Sequence, residues 1–270
     1  MNKRAYTAFL NTIVSNVQGV VKNTTPSSDS IVKRIKSETT KKGKTKVINA
    51  IARNYETSLA KAISTEYEDS IGRVVDSYIS QTLKEAGITN LSPEEFVKFR
   101  NKVVKKFANK KFKGFTPKQR IKNISKATSK QLKRSMKIFD KYGRTDTLTS
   151  FEHNNTGKVN RHKVSAHRSQ SRLLTSEVNR TRQDIGLVVA EEFELEFIKW
   201  VTMGDSKVCL ICHEYANRIT LPRDVDPTGD LRGVYRITNT PEYPHPHCRC
   251  RKVPYRVTLP KIKIPKNKEF

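Results

Sequence analysis

The sequence has few acidic residues and no long run of apolar ones. Against 53 lysines and arginines stand only 26 aspartates and glutamates, which leaves a formal net charge of +27. No stretch of about eighteen apolar residues is present, so the sequence predicts no membrane-spanning helix. A positive surplus this large destabilises a compact chain unless a polyanion lies close by, and it therefore predicts a nucleic-acid partner.

The amino terminus also lacks the features of a secretory signal. Residues 1–21 begin with a basic patch and contain apolar residues, but polar residues interrupt the apolar stretch at Thr7, Asn11, Thr12, Ser15, Asn16 and Gln18. A signal peptide needs an unbroken apolar core of roughly 7–15 residues. We therefore expect synthesis in the cytoplasm, where thiols stay reduced.

Cysteine is scarce, and all four cysteines fall within one short region. Cys209 and Cys212 form a C-x2-C pair, and Cys248 and Cys250 form a C-x-C pair. A C-x2-C turn directs two thiolates to one point, and residues two apart on a strand face the same side, so the pairs can meet at a tetrahedral centre. In a reducing compartment this pattern favours a structural Zn²⁺ site.

Other ligand sets and other states of the thiols stay open. Imidazole binds zinc as well as thiolate does, so His213, His245 or His247 can replace one cysteine as a ligand. The candidate metal ligands are therefore Cys209, Cys212, His245, Cys248 and Cys250. The alternatives to zinc are a disulfide between the two pairs, or four reduced thiols without a metal.

The cysteine region has a motif order that resembles a known family. It reads W-V-x3-D-x2-V-C-x2-C, then a polar loop, then H-P-x-C-R-C and a proline, through Trp200, Asp205, Val208, Cys209, Cys212, His245, Pro246, Cys248, Arg249, Cys250 and Pro254. This order resembles the carboxy-terminal module of phage head morphogenesis proteins, the minor head proteins related to protein F of phage Mu. That family also carries an upstream Arg-Thr-Glu helix signature, which Thr175, Glu177 and Arg180 resemble, with Ser176 inserted.

The resemblance covers residues 165–257 and departs from the family at two places. Asn217 stands where the family usually has a glycine, and asparagine also tolerates a left-handed backbone. Tyr243 and Pro244 stand where a second proline often precedes the histidine. Neither departure removes a candidate ligand. The resemblance implies a virion protein of the capsid interior near the portal, made in the host cytoplasm, whose partners are portal and capsid proteins or further copies of the chain.

Two helices with strong start signals carry a dense run of positive charge. Ser92-Pro93 and Thr116-Pro117 each place a capping hydroxyl before a proline, which predicts a helix from each point. The outer faces of these helices have almost no acidic residues, whereas an ordinary solvated face mixes both signs. We predict contacts to double-stranded DNA that ignore base sequence, from Lys102, Lys105, Lys106, Lys110, Lys111, Lys113, Lys118, Arg120, Lys122, Lys126, Lys130, Lys133, Arg134 and Lys137.

The periodicity of the apolar residues predicts an α+β protein that is mostly α. Residues 1–142 are expected to form a basic region of long amphipathic helices, because apolar residues recur at helical spacing through residues 45–86. Residues 143–164 are polar and without period, and are expected to be a linker or exposed loop. Residues 165–257 are expected to form a small mixed α/β module stapled by the Cys/His cluster, and residues 258–270 a basic extended tail.

Short strands are predicted within the 165–257 module, where apolar and polar residues alternate. They are expected at residues 197–202, 218–221, 234–237 and 252–257. Trp200 is predicted to anchor the core of the resulting sheet.

The main alternative to a non-enzymatic structural role is a metal-dependent nuclease acting on DNA. Groups near the cysteines that can activate water on a metal are Asp205, His213, Glu214, His245 and His247. Each has a structural role available as well, and no His-Asn-His arrangement stands at a recognised spacing. An ADP-ribosyltransferase ranks third, because its candidate residues are commonplace: Arg172, Thr175, Ser176, Glu194 and Glu196.

Overall fold

In the computed structural model the protein is mostly α-helical and carries one small antiparallel sheet, as predicted. The structure describes residues 3–112, 114–156, 165–206, 208–227, 229–244, 248 and 250–257. Its helices are α1 (Lys3–Thr24), α2 (Ser28–Lys36), α3 (Lys41–Glu85), α4 (Pro93–Asn109), α5 (Pro117–Tyr142), α6 (Asp146–Thr156), α7 (Ala166–Glu192) and α8 (Leu210–Asn217). Its strands are β1 (Phe197–Val201), β2 (Val234–Arg236) and β3 (Arg251–Tyr255). Among the helices described, none combines the length and the apolar character that a membrane span requires.

The chain divides into two compact units. The helical unit comprises Met1–Val74 and Val104–Val178, and the sheet unit comprises Val75–Val103 and Asn179–Phe270. This division differs from the predicted one because α3, α4 and α7 each run through a boundary. Apolar residues recur at the same spacing along the whole of such a helix, so the sequence does not show where the helix passes from one unit into the other. The predicted tail at 258–270 lies outside the described residues.

The helical unit buries one apolar face of each amphipathic helix. Along α1, Ile13, Val17 and Val21 are fully buried at four-residue spacing, which places them on a single face. Within the same unit α3 continues this pattern through Ile51, Tyr55, Leu59, Ile63 and Tyr67. These faces form the core that holds α5 and α6 in place.

Both predicted helix starts are confirmed as capping boxes. The Thr116 hydroxyl accepts a hydrogen bond from the Gln119 backbone N–H at 3.2 Å, and the Thr116 backbone N–H donates to Gln119 Oε1 at 2.8 Å. Ser92 and Glu95 repeat this reciprocal arrangement at 3.2 and 2.8 Å. The bond from the Ser92 backbone N–H lowers the pKa of Glu95, because it stabilises the carboxylate. Gly143 ends α5 in a left-handed conformation (φ 69°).

The predicted linker at 143–164 is wrong for residues 146–156, which form α6. Leu148 and Phe151 are buried, and Phe151 packs edge-on against Tyr55 with 5.9 Å between ring centres. Glu152 accepts hydrogen bonds from the Ser28 backbone N–H and hydroxyl, each at 2.8 Å. Two apolar residues in a polar stretch give no detectable period, so only tertiary packing fixes this helix. Residues 157–164 lie outside the described residues.

The sheet unit contains a three-stranded sheet in the order β2-β1-β3. The central strand β1 pairs antiparallel with both neighbours, so that Ile198 lies opposite Tyr235 on one side and Pro254 on the other. Three of the predicted strands are confirmed, and the one predicted at 218–221 is wrong. There the Gly233 backbone N–H donates to the Arg218 carbonyl, and the Thr220 hydroxyl donates to the Val234 carbonyl, which do not make a regular ladder.

Gly186 lies at a close approach of α7 to β3 in the sheet unit. A Cβ at this position would overlap the backbone carbonyl of Lys252. We expect Gly186→Ala to destabilise the protein by about 1–3 kcal/mol, the usual cost of overpacking. Gly19→Ala in α1 is the matched control, because a Cβ there meets nothing within 4 Å. It should stabilise the protein by up to ~1 kcal/mol through helix propensity. Denaturant unfolding measures both variants, and equal stabilisation by the two would contradict the close contact.

Candidate functional site

The first pair of cysteines is positioned by the start of α8. Cys209 is the N-cap residue, and its Sγ accepts a hydrogen bond from the Cys212 backbone N–H at 3.4 Å. Cys212, three residues later in the first turn, is buried, whereas Cys209 is partly exposed. A side chain that caps a helix in this way is held against its first turn. The cap therefore holds the Cys209 sulfur against the turn that carries Cys212.

The second pair of cysteines lies just before β3 and meets the first. Cys248 and Cys250 are both buried, and their sulfur atoms lie with that of Cys212 within 4.8 Å of one another. The Sγ atoms of Cys212 and Cys248 are 3.3 Å apart. Because the strand that follows Cys250 pairs with β1, the sheet fixes the position of this pair. One cysteine of the first pair and both cysteines of the second thus meet in the interior of the sheet unit, and the partly exposed Cys209 is not among the three grouped sulfur atoms.

The sulfur geometry fits a metal better than a disulfide. A disulfide needs sulfur atoms about 2.05 Å apart. Two thiolates bound to one tetrahedral zinc, with bonds of ~2.3 Å, lie about 3.8 Å apart. The 3.3 Å between Cys212 and Cys248 is nearer to the second value, and all four cysteines are free. The buried group of Cys212, Cys248 and Cys250 can therefore hold a metal ion.

The buried thiols are weak acids in the absence of a cation. Burial, followed by the neighbouring Cys248 thiol, raises the pKa of Cys212 above its usual range. The hydrogen bond with Cys248, followed by burial, raises the pKa of Cys250 in the same direction. A divalent cation stabilises the thiolates directly and reverses this preference. Metal binding therefore releases protons, so that metal affinity rises with pH.

Aromatic side chains and one amide form the wall of the cluster. Trp200 is buried, as predicted for a core anchor, and its ring centre lies 5.0 Å from that of Tyr243 and 5.1 Å from that of Tyr215. The Tyr243 hydroxyl donates to the Gln183 backbone carbonyl at 2.7 Å. The Gln183 side-chain amide in turn donates to the Cys248 carbonyl. Gln183 thus ties α7 to a candidate ligand, which is how residues around a metal site orient its ligands.

Sequence reasoning missed Gln183, Tyr243 and a buried ion pair in the same wall. Lys252 Nζ lies 3.6 Å from Asp184 Oδ1, with only 7% and 8% of the two side chains exposed. One signal was available in the sequence: residues 179–184 are an unbroken polar run inside a helix. A helix that is polar on every side and also buried must find partners for its polar groups.

The remaining candidate ligands are not seen at the cluster. His213 is exposed, and its Nδ1 lies 3.3 Å from Nδ2 of Asn217. His245 and His247 lie outside the described residues. Within the part of the chain that the structure describes, the grouped metal-ligating side chains are the three buried cysteines alone. No carboxylate of that part joins them to form a water-activating site.

The second candidate site is the exposed face of α5 in the helical unit. We call Lys122, Lys126, Lys130, Arg134 and Lys137 the basic stripe, because their spacing places them along one side of the helix. At 1.5 Å per residue the stripe is about 22 Å long. Residues 117–139 contain no acidic residue, and none of the five side chains has an ion-pair partner among the described residues. The stripe is an uncompensated line of positive charge.

Several other predicted phosphate contacts are engaged within the protein. Arg120 forms an ion pair with the buried carboxylate of Glu177, and its guanidinium lies 5.4 Å from the centre of the Phe112 ring. This part-buried arrangement removes Arg120 from the exposed charge of α5. Two further predicted contacts pair with carboxylates on exposed side chains, at 2.5 and 2.6 Å: Lys118 with Glu68 and Lys102 with Glu192.

The other predicted phosphate contacts divide into exposed and half-buried groups. Lys133 is half-buried beside the stripe. The end of α4 and the residues after it add exposed positive charge at Lys105, Lys106, Lys110 and Lys111. Lys113 lies outside the described residues. The basic stripe is therefore the longest continuous part of the predicted surface that the structure describes.

Neither candidate site is supported by a relative. Comparison with known protein families, with curated proteins and with solved structures finds no match to this chain. The likeness to phage minor head proteins therefore rests on the motif residues of this chain alone. The chemistry of the two sites rests on the thiol geometry and on the uncompensated charge.

Proposed function

We propose that this chain is a minor head protein of a phage, a structural component of the capsid interior near the portal. The observation that carries the proposal is the meeting of Cys212, from the C-x2-C pair, with both cysteines of the C-x-C pair in one buried cluster. It supports the proposal because these pairs belong to the motif order that resembles the minor head family. Trp200, another residue of that motif, forms part of the cluster wall. In this role the sheet unit presents a rigid surface to portal or capsid proteins, or to further copies of the chain.

The metal in this proposal is zinc, and its role is structural. Soft thiolates select zinc among the common divalent ions, and a closed site of four protein ligands leaves no position for substrate. Cys209 is the preferred fourth ligand, because its sulfur is held against the turn that carries Cys212. His245 is the alternative that the motif leaves open. Zinc would join α8 to the segment before β3 and so hold the small sheet unit together.

The DNA contact in this proposal is made by the basic stripe. Lysine and arginine bind phosphate oxygens without reading bases, so the expected contact is independent of sequence. A phage head presents double-stranded DNA at very high density, which suits a surface that only neutralises charge. The stripe supports this role because residues 117–139, which contain it, include no acidic residue, and Asp140 at the end of the helix pairs with Lys44 instead.

The location is tested in purified virions of the phage that encodes this chain. Quantitative mass spectrometry should find the protein in every preparation, at a fixed ratio to the major capsid protein. Heads made without it should show defects of assembly or DNA retention. Its absence from purified particles would contradict the proposal. The nuclease alternative predicts instead that supercoiled plasmid is cut when a divalent metal is added, and that His213→Ala or His247→Ala removes the activity.

A further inference from the structure

The first two turns of α3 carry a second group of exposed lysines in the helical unit. Lys41, Lys42 and Lys46 are exposed, and none of the three has an ion-pair partner among the described residues. Residues 39–55, which contain them, include no acidic residue. We call these three side chains the α3 lysines. They are a short stretch of uncompensated positive charge, as the basic stripe is on α5.

The α3 lysines stand at the end of a helix that favours the opposite charge. Because the amino-terminal end of a helix carries partial positive charge, acidic residues stabilise it and cations do not. The first turn of α3 has no acidic residue. The Thr40 hydroxyl accepts a hydrogen bond from the Gly43 backbone N–H at 3.0 Å, and the Glu38 carboxylate lies beside Gly43 without a described ion pair to any lysine. Lysines here weaken the helix, which favours a role in binding an anion outside the chain.

Contacts within the helical unit place the α3 lysines at the carboxy-terminal end of α5. Three pairs of residues join the two helices: Lys44 with Asp140 at 3.4 Å, the Ser129 hydroxyl with the Ala52 carbonyl at 2.7 Å, and Lys118 with Glu68 at 2.5 Å. The residue numbers rise along α3 while those of the partners fall along α5, so the two helices run antiparallel. The start of α3 therefore lies beside the end of α5, where the basic stripe ends.

The ion pair at this junction removes the acidic charge that would separate the two groups of cations. Asp140 is the one acidic residue in the sequence of α5, and Lys44 holds its carboxylate. The two side chains are 33% and 26% exposed, so the pair reaches the surface. Lys42 and Lys46 each lie two residues from Lys44, about 3 Å along the helix axis. On α5, the exposed Lys137 and Lys141 flank Asp140 in the same way.

We propose that the α3 lysines and the basic stripe form one continuous surface that binds a single DNA duplex. This surface rests on the DNA contact proposed above and extends it to a second helix. It offers five cations from the stripe and three from α3. At 1.5 Å per residue, α5 from Lys122 to Lys141 is about 28 Å long, which corresponds to about eight base pairs at 3.4 Å each. The ligand is therefore a length of duplex and not a free phosphate or a nucleotide.

The test is a salt titration of a duplex of about twelve base pairs with the full-length chain, since this length holds one such surface. The α3 variant is Lys41→Gln/Lys42→Gln/Lys46→Gln. If each lysine contacts one phosphate, the slope of log affinity against log salt should fall by roughly 2.7, and binding at 0.1 M salt should weaken by roughly 500-fold. Combining it with the stripe variant Lys122→Gln/Lys126→Gln/Lys130→Gln should lower the slope by roughly 5.4.

The matched control removes three cations that are as close in the sequence. Lys33→Gln/Arg34→Gln/Lys36→Gln changes exposed residues of α2, and no hydrogen bond or ion pair between described residues joins α2 to α5. The control should keep the slope of the unmodified chain. Urea unfolding shows that the α3 variant is intact: its midpoint should equal or exceed that of the unmodified chain, because the variant removes cations that oppose the helix dipole.

The outcomes separate the continuous surface from the DNA contact itself. Equal slope losses in the α3 and stripe variants, with one duplex bound per chain, support the proposal. An α3 variant that keeps the full slope, or two duplexes bound per chain, would overturn it and leave the stripe as a DNA contact. A control variant that loses as much slope as the α3 variant would overturn it as well, because net charge alone would then explain the effect. If the affinity of the unmodified chain ignores salt, both proposals fail.

Discussion

Replacing Cys248 with serine is expected to remove the metal from the sheet unit and most of that unit's stability. Structural zinc binds small zinc-finger peptides with an apparent free energy of about 10–16 kcal/mol. The whole stability of a domain is only about 5–15 kcal/mol. Even a fraction of the metal's binding energy therefore decides whether the sheet unit is folded. We expect Cys248→Ser to lower the free energy of unfolding by at least about 3 kcal/mol.

The loss can be followed at a single residue. Trp200 is the only tryptophan, and it lies in the wall of the thiol cluster, so its fluorescence reports unfolding of the sheet unit. The unmodified chain should unfold at a high urea concentration. Cys248→Ser and the chelator-treated chain should both unfold at a lower one. A Cys248→Ser protein that keeps its metal and its midpoint would contradict the assignment.

Two further variants identify the fourth ligand. If Cys209 binds the metal, Cys209→Ser should weaken metal binding and His245→Ala should leave it unchanged. The reverse result would assign His245 instead. Both variants must be measured, because the hydrogen bond from the Cys212 N–H to the Cys209 sulfur does not by itself show that Cys209 binds the metal.

Removing three charges from the basic stripe is expected to remove most of the DNA affinity. In Lys122→Gln/Lys126→Gln/Lys130→Gln, each lost phosphate contact should lower the slope of log affinity against log salt by roughly 0.9, or about 2.7 for the three. At 0.1 M salt this corresponds to binding that is weaker by roughly 500-fold. Titration of an unrelated DNA duplex at several salt concentrations measures both quantities.

A matched triple variant separates a defined surface from diffuse charge. Lys33→Gln/Arg34→Gln/Lys36→Gln removes the same number of charges from exposed positions on α2, also in the helical unit. It should keep the slope and most of the affinity of the unmodified chain. If both triple variants weaken binding equally, net charge alone accounts for the affinity and the stripe is not an interface.

The features predicted correctly from the sequence are those that local chemistry determines. The capping boxes at Ser92 and Thr116 depend on residues three apart, so their helices could be placed from the sequence. The strand at Phe197–Val201 could also be placed from the sequence, because burial alternates along its last four residues. The two cysteine spacings are local as well, but the meeting of Cys212 with Cys248 and Cys250 also depends on the pairing of β3 with β1.

The features that sequence reasoning missed depend on tertiary packing. Nothing local distinguishes α6 from a polar loop, because its order comes from the burial of Leu148 and Phe151 and from the bonds of Glu152 to Ser28. Gln183 and Asp184 look like surface residues of a helix, and only the approach of β3 to α7 at Gly186 gives them buried partners. The boundary between the two units within α3 was missed as well, because it depends on which residues each part of the helix packs against.

Elemental analysis of the purified, reduced full-length protein shows whether the thiol cluster holds a metal. The buried group of thiols predicts one zinc ion per chain, retained through dialysis, with the cysteines protected from alkylation until a chelator is added. A preparation that contains no metal and still unfolds with a high urea midpoint would contradict the account, because the thiols would then be only part of the apolar core.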